Sequence, residues 1–226
     1  GRTQYPCDIE EITAGVVHDA AGAVIEAFHT DHGVPSLGYA LLEDDRPGAF
    51  DVAEAQRLGV PAGPMFGQLQ RGQAVTLAGG VDVHPAQVLG EARDGRTVVL
   101  TGDTRPCEST REIAAGADLL VHEGTFLHDE LDRAIETRHS TVREAAELAR
   151  TADVRLLALT HLSSRFMPRE ARVEAEASFA RVVIPKDFDQ IEVPYRERGE
   201  PLVHRAADRD TAPPAQDSPD AVGTTD

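Results

Sequence analysis

Lysine is almost missing from this sequence: Lys186 stands against 21 arginines in 226 residues, and the formal net charge is −17. An acidic chain that keeps arginine and avoids lysine suits a salt-rich cytoplasm, as in a halophile with GC-rich DNA, or is ordinary acidity for solubility. The same balance argues against unspecific attraction to nucleic-acid phosphates. It leaves room for a local RNA site, which in high salt rests on shape, metal and stacking more than on counterion release. Cysteine is scarce as well. Cys7 and Cys107 are too few and too separated for a disulfide framework, have no zinc-ligand spacing, and are expected as free thiols. No apolar run approaches the roughly 20 residues of a membrane helix, and no signal peptide opens the chain, so a cytoplasmic protein is expected. The first residue is Gly1 and not Met, and the expectation is that an upstream segment is missing.

What is present are three short apolar runs that each end on a potential metal ligand or proton carrier. They are Thr97-Val-Val-Leu-Thr-Gly-Asp103, Asp118-Leu-Leu-Val-His-Glu123 and Arg155-Leu-Leu-Ala-Leu-Thr-His161. Continuous apolar runs closed by polar residues read as buried strands, and chemistry in open α/β sheets collects beyond the carboxyl ends of strands. His139 lies between the last two runs. Asp and His together form the ligand set of a zinc or related hydrolase. Each residue also has a plainer reading: Asp103 as a strand-end turn or cap, His161 as a packed residue, and His32 as one of two choices with His29. Glu123 and His139 suit a carboxylate that orients a proton-donating histidine, or are two solvated loop residues. His122 points to the opposite side of an extended segment and is read as structural.

Strands are expected at Ala21–Phe28, Ser36–Leu42, 97–101, 118–121, 155–160, Val182–Ile184 and Gln190–Val193, while residues 1–20 are weakly patterned. Helices are expected at Asp51–Leu58, 108–115, Asp129–Glu136, Val142–Thr151 and Arg169–Val182. Ser140 or Thr141 can cap the fourth of these, with Glu144 completing a capping box after Thr141. Residues 45–95 are rich in turn formers and poor in core residues, which predicts a projecting insertion. The Pro-, Asp- and Ala-rich end predicts a disordered tail.

Read together, five stretches resemble the ribonuclease Z family, the tRNA 3′-processing endonucleases of the metallo-β-lactamase fold. They are His32-Gly-Val-Pro-Ser-Leu-Gly-Tyr39, Gly102-Asp-Thr-Arg-Pro106, Leu120-Val-His-Glu-Gly-Thr-Phe126, His139-Ser-Thr141 and Leu159-Thr-His-Leu-Ser-Ser-Arg-Phe166, in the family's order and spacing over about residues 20–195. The resemblance implies an α/β fold, the carboxy-terminal portion of the αββα sandwich. Residues 1–44 and 96–196 would form a partial domain, 45–95 a flexible arm that grips tRNA, and 197–226 a disordered acidic tail. It implies His32, Asp103 and His161 as metal ligands, with Asp103 bridging two zinc ions, and Glu123 and His139 as the catalytic pair. Gly63, Pro64 and Arg71 would belong to the tRNA-binding arm. Zinc would activate water for in-line attack on a precursor tRNA, leaving a 3′-hydroxyl on the tRNA and a separate trailer, and family members are homodimers.

The sequence departs from the family in one large respect. The His-x-His-x-Asp-His zinc motif is absent, and the nearest approach, His29-Thr-Asp-His32, belongs to another part of the pattern. The chain would supply three of about seven ligands, and the missing strands would leave sheet surface uncovered. Gly124 stands where alanine is usual and Phe166 where tyrosine is common. Two other readings remain: a different phosphodiesterase on the same fold, and a non-catalytic remnant that binds tRNA or a partner.

Overall fold

A computed structural model describes residues 9–206. Its centre is a seven-stranded sheet in the order β1-β2-β3-β6-β7-β8-β9. The strands are β1 (Gly15–Ala20), β2 (Ala23–Asp31), β3 (Pro35–Glu43), β6 (Thr97–Leu100), β7 (Leu119–Glu123), β8 (Leu157–Thr160) and β9 (Val182–Val183). The first four are antiparallel neighbours, and β6 through β9 run parallel. Parallel strands need crossovers, and those crossovers carry α3 (Glu108–Ile113), α4 (Leu131–Thr137), α5 (Val142–Thr151) and α6 (Pro168–Glu176).

Helices and sheet enclose the main core. Ala145, Ala146 and Ala149 of α5 and Ala171 and Ala175 of α6 meet Phe28, Ala40, Val99, Leu120, Leu157 and Leu159 from the sheet. Alanines on the helices let them approach closely, and the apolar volume comes from the strands. Gly38 serves the same purpose: a Cβ there would lie 2.4 Å from Phe28 Cζ and 2.9 Å from the Leu100 carbonyl oxygen. α5 begins as its sequence predicts. The Thr141 hydroxyl accepts from the Glu144 N–H while the Glu144 carboxylate accepts from the Thr141 N–H, a reciprocal capping box.

The opposite face holds a smaller cluster of Leu119, Leu156 and Ala158, with Val98, Val121, Val183, Ile191 and Val193 packed against it. On the same face, Tyr39 pairs with Leu100 and Leu41 with Val98, and Tyr39, Leu41 and Leu100 are 37–45% exposed. No helix among the described residues is long and apolar enough to cross a membrane.

Three expectations are corrected. Residues 15–20, read as unpatterned, form β1 on β2; the strand is exposed on both faces and shows no alternation. Residues 45–95 do carry a core. Ala55 of α1 (Val52–Arg57), Leu69 of α2 (Pro64–Gln70), Val75 of β4 (Val75–Thr76), Val83 of β5 (Asp82–Val83), Val60 and Val88 are buried together, with Phe50 and Phe66 against them. The disordered tail does not begin at 197. Leu202–His204 forms β11 on β10 (Gln190–Glu192), because Glu197 is held by Arg46 and Arg93, and the Gly199 carbonyl by Arg155. Residues 207–226 and Cys7 lie outside the described residues; Cys107 is a free thiol.

Candidate metal and catalytic site

The parallel strands deliver three of the expected residues to one edge. Glu123 is the last residue of β7, His161 directly follows β8, and Asp103 lies in the turn after β6. His32 comes from the turn between β2 and β3, and His139 from the link between α4 and α5. These five residues meet. Ligand atoms of His32, Asp103 and His139 lie within 4.8 Å of one another, as do those of Glu123, His139 and His161. His139 is the shared member: its ring is edge-on to His32 at 4.8 Å between centroids and stacks on His161 at 5.3 Å. His29, the competitor of His32, belongs to neither group.

Glu123 is 1% exposed and saturated with donors. Oε1 accepts from the Thr104 N–H at 2.7 Å and from His139 Nδ1 at 2.8 Å. Oε2 accepts from the Ser140 N–H at 3.0 Å and the Thr125 hydroxyl at 2.5 Å. A buried carboxylate needs such partners, since an unpaired one is costly in an apolar interior.

The loops around it are knitted to one another. Arg105 donates to the His139 carbonyl at 2.7 Å and forms an ion pair with Glu144. Burial pushes the Glu144 carboxyl up, but the hydrogen bonds from Arg105 and from the Thr141 N–H outweigh it and hold the group below its ordinary value. The Ser140 hydroxyl donates to the Thr104 carbonyl at 2.6 Å, and the Arg105 N–H to the Asp31 carbonyl at 2.7 Å. Two residues beside the site adopt left-handed backbone, Arg138 at φ 60° and His161 at φ 53°, a conformation non-glycine residues seldom take.

The three histidines share one arrangement. His32 Nδ1 lies 2.9 Å from the Arg138 carbonyl oxygen, His139 Nδ1 2.8 Å from Glu123, and His161 Nδ1 2.7 Å from the Thr125 hydroxyl. A carbonyl only accepts, so His32 carries its proton on Nδ1 and keeps the Nε2 lone pair. Histidine ligands of metals are held in this way, by a partner on the other ring nitrogen. His32 Nε2, His161 Nε2 and the partly exposed Asp103 carboxylate offer a mixed nitrogen and oxygen set, which fits a divalent ion such as zinc.

Thr125, Arg105 and Thr104 were not singled out from the sequence, and Ser140 was read only as a candidate helix cap. Their signal was position alone, inside the same short stretches as Asp103, Glu123 and His139. Gly63, Pro64 and Arg71 sit elsewhere, on the inserted segment. Gly63 (φ 128°) precedes α2, Pro64 opens it, and Arg71 closes it. His122, expected to be structural, is fully buried. Its Nδ1 donates to the Glu123 carbonyl at 2.8 Å, and its Nε2 is buried without a hydrogen-bond partner among the described residues.

A family model described as a beta-lactamase superfamily domain matches residues 73–162. A protein named ribonuclease Z from Myxococcus xanthus is 49% identical over 196 residues, which is 85% of this chain and 64% of that protein. Ribonuclease Z of Natronomonas pharaonis is 47% identical over 199 residues, 86% of this chain and 65% of its own length. That of Haloferax volcanii is 48% identical over 197 residues, 85% and 62% respectively. Among solved structures, human tRNase Z, short form, is similar at 22% identity and a TM-score of 0.48, covering 79% of this chain and 45% of that one. The chain spans somewhat under two thirds of the length of the curated relatives it matches. Residues 73–162 thus match a beta-lactamase superfamily domain, and the chain, built on a mixed α/β sheet, is homologous over most of its length to proteins named ribonuclease Z.

Proposed function

We propose that this chain supplies the carboxy-terminal part of a zinc-dependent endonuclease that removes the 3′ trailer from precursor tRNA and leaves a 3′-hydroxyl on the tRNA. The observation that carries the reading is the meeting of His32, Asp103, Glu123, His139 and His161 at one edge of the sheet. In this reading His32, Asp103 and His161 would hold the metal, and Glu123 with His139 handles protons. A bound zinc ion supplies water activated near neutral pH and positive charge opposite the phosphate oxygens.

The chain's own residues do the rest. Glu123 orients the His139 ring through Nδ1, so that His139 Nε2 delivers a proton to the departing 3′ oxygen of the tRNA. The five donors on Glu123, the Thr125 N–H at 3.3 Å among them, keep the carboxylate fixed during the transfer. Residues 45–95 serve as the arm that grips tRNA, with Gly63 and Pro64 at its turn. Of the four arginines in this segment, Arg57 pairs with Glu54, and Arg46 and Arg93 with Glu197. Arg71 makes no ion pair among the described residues, which leaves its guanidinium available to a phosphate. The working assembly is a homodimer, and the acidic, lysine-poor composition supports a saline cytoplasm.

The test is cleavage of a precursor tRNA carrying a 3′ trailer. The chain is assayed alone and joined in one polypeptide to the portion of the Haloferax volcanii relative that it does not span. Zinc-dependent release of a tRNA ending in a 3′-hydroxyl from the joined protein supports the proposal. Binding of the precursor without cleavage, at full zinc loading, overturns it in favour of a non-catalytic tRNA-binding role.

A further inference from the structure

Thr125 stands between the two halves of the site. Its hydroxyl oxygen lies 2.5 Å from Glu123 Oε2 and 2.7 Å from His161 Nδ1. The third polar group nearby, His139 Nδ1, is 3.4 Å away and already bound to Glu123 Oε1 at 2.8 Å. A hydroxyl has one proton and two lone pairs, whereas an ionised carboxylate only accepts. The hydroxyl proton is therefore committed to Glu123, and the contact with His161 requires the imidazole to donate. Asp103 Oδ1, at 3.7 Å from the same ring nitrogen, is beyond hydrogen-bond reach and does not compete.

We infer that Thr125 is a positioning residue: it holds His161 as the Nδ1–H tautomer, keeps the Nε2 lone pair free for metal, and couples this ligand to Glu123 through a single hydroxyl. The inference rests on the reading of His161 as a ligand for its purpose, but not for its geometry. Backbone contacts keep Thr125 in register with His161. The Gly124 N–H donates to the Thr160 carbonyl at 3.0 Å and the Ser163 N–H to the Thr125 carbonyl at 3.3 Å, so the two loops are tied by backbone hydrogen bonds. His161 keeps its left-handed backbone, φ 53°, at the point where its ring reaches Thr125. The site then has three histidines held through Nδ1 by three different acceptors: a backbone carbonyl for His32, a carboxylate for His139 and a hydroxyl for His161. Of these, only the hydroxyl can reverse its role by rotating, so its second bond, to Glu123, is what sets the direction.

The test uses the full chain, free of metal and labelled with 15N in its histidines. Long-range 1H–15N spectra at about pH 8.5, above the ordinary imidazole range, distinguish the two neutral tautomers directly. The expected result is the Nδ1–H pattern for His161 in the natural protein and in Thr125→Ser, and its loss in Thr125→Val. The His32 signals, set by the Arg138 carbonyl, stay unchanged and report an intact fold. An Nε2–H pattern for His161 in the natural protein overturns the inference without any variant. An unchanged His161 pattern in Thr125→Val, with His32 also unchanged, overturns it as well.

Zinc titration of the same samples separates this inference from the proposed function. Zinc affinity weaker by about 10–100-fold in Thr125→Val, restored in Thr125→Ser, is the expected effect of losing a partner behind a ligand. If zinc leaves the His161 signals of the natural protein unmoved, the assignment of His161 as a ligand fails while the tautomer assignment stands.

Discussion

Asp118 and Arg155 stand just before two neighbouring parallel strands and pair at 2.9 Å, with side chains only 3% and 7% exposed. The pair is part of a network. Asp118 also accepts from the Thr97 N–H at 2.9 Å and faces Arg196 at 3.2 Å, while Arg155 donates to the Pro194 and Gly199 carbonyls. One end of the sheet thus holds a structural ion pair, and the other end the candidate site. Removing one partner of a buried pair leaves the other charge uncompensated, at a cost of about 3–5 kcal/mol. Asp118→Ala should lower the unfolding free energy by that amount in urea titrations. Asp118→Leu combined with Arg155→Met should cost less than Asp118→Ala alone, because no lone charge remains.

The proposed roles of Asp103 and His139 separate on two readouts. In the joined polypeptide that cleaves precursor tRNA, Asp103→Ala should lose both bound zinc and cleavage. His139→Ala should keep zinc near the natural level while turnover falls by about 10²–10⁴-fold, the usual worth of a positioned proton donor. Metal analysis beside single-turnover cleavage decides; equal zinc loss in both variants would remove the division of roles. Chelation should abolish cleavage, and zinc should restore it.

Glu197 gives a pH signature at the base of the inserted segment. Hydrogen bonding from Arg46 holds its carboxyl down at about 2, and the Arg46 guanidinium lies 3.4 Å from the centre of the Tyr195 ring. A depressed carboxyl contributes stability that is fully present above its unfolded value of 4.5 and is lost as pH falls toward about 2. Glu197→Gln should therefore be less stable than the natural chain at neutral pH, and the gap should close on acidification across that window. Thermal melts of both proteins along a pH series test this; a gap constant with pH would show that the ionised clasp contributes nothing.

His122 has the opposite chemistry and the same direction of effect. Complete burial pushes its imidazole below the ordinary value of 6.5, outweighing the hydrogen bond to the Glu123 carbonyl. The folded chain keeps it neutral while the unfolded chain protonates it. Its contribution is thus undiminished above 6.5 and declines as pH falls below that value. Replacement by leucine should flatten the stability profile between about pH 7 and 5, measured by denaturant titration. An unchanged slope would place the titrating group elsewhere.

Much of this was legible in residues 97–161. The runs before Glu123 and His161 are continuous because β7 and β8 are parallel strands covered on both faces, and a strand end followed by a ligand-type side chain is visible without a structure. β1 was not legible, since an exposed edge strand such as Gly15–Ala20 buries neither face and leaves no periodic trace. The core of the inserted segment escaped for another reason. Ala55, Val60, Leu69, Val75, Val83 and Val88 are isolated in sequence between turn formers and become a cluster only in three dimensions. Residues 197–204 read as tail because their order comes from Arg46, Arg93 and Arg155, all distant in the chain. Thr125 illustrates the limit at the site. A hydroxyl's role depends on which two groups it reaches, and neither Glu123 nor His161 announces that reach in sequence.

The bridge between Arg46 and Arg93 has a consequence for how such a protein changes over evolutionary time. β3 and β6 are antiparallel neighbours, and their ladder continues outward through Arg46 with Arg93 and Phe50 with Leu89. Seen from the sheet, everything between is a hairpin loop whose two ends already touch. Lengthening, shortening or exchanging such a loop adds little closure entropy and leaves the register of β3 on β6 untouched. The inserted segment is thus a cassette, free to diverge at its own rate on a scaffold that does not notice the trade.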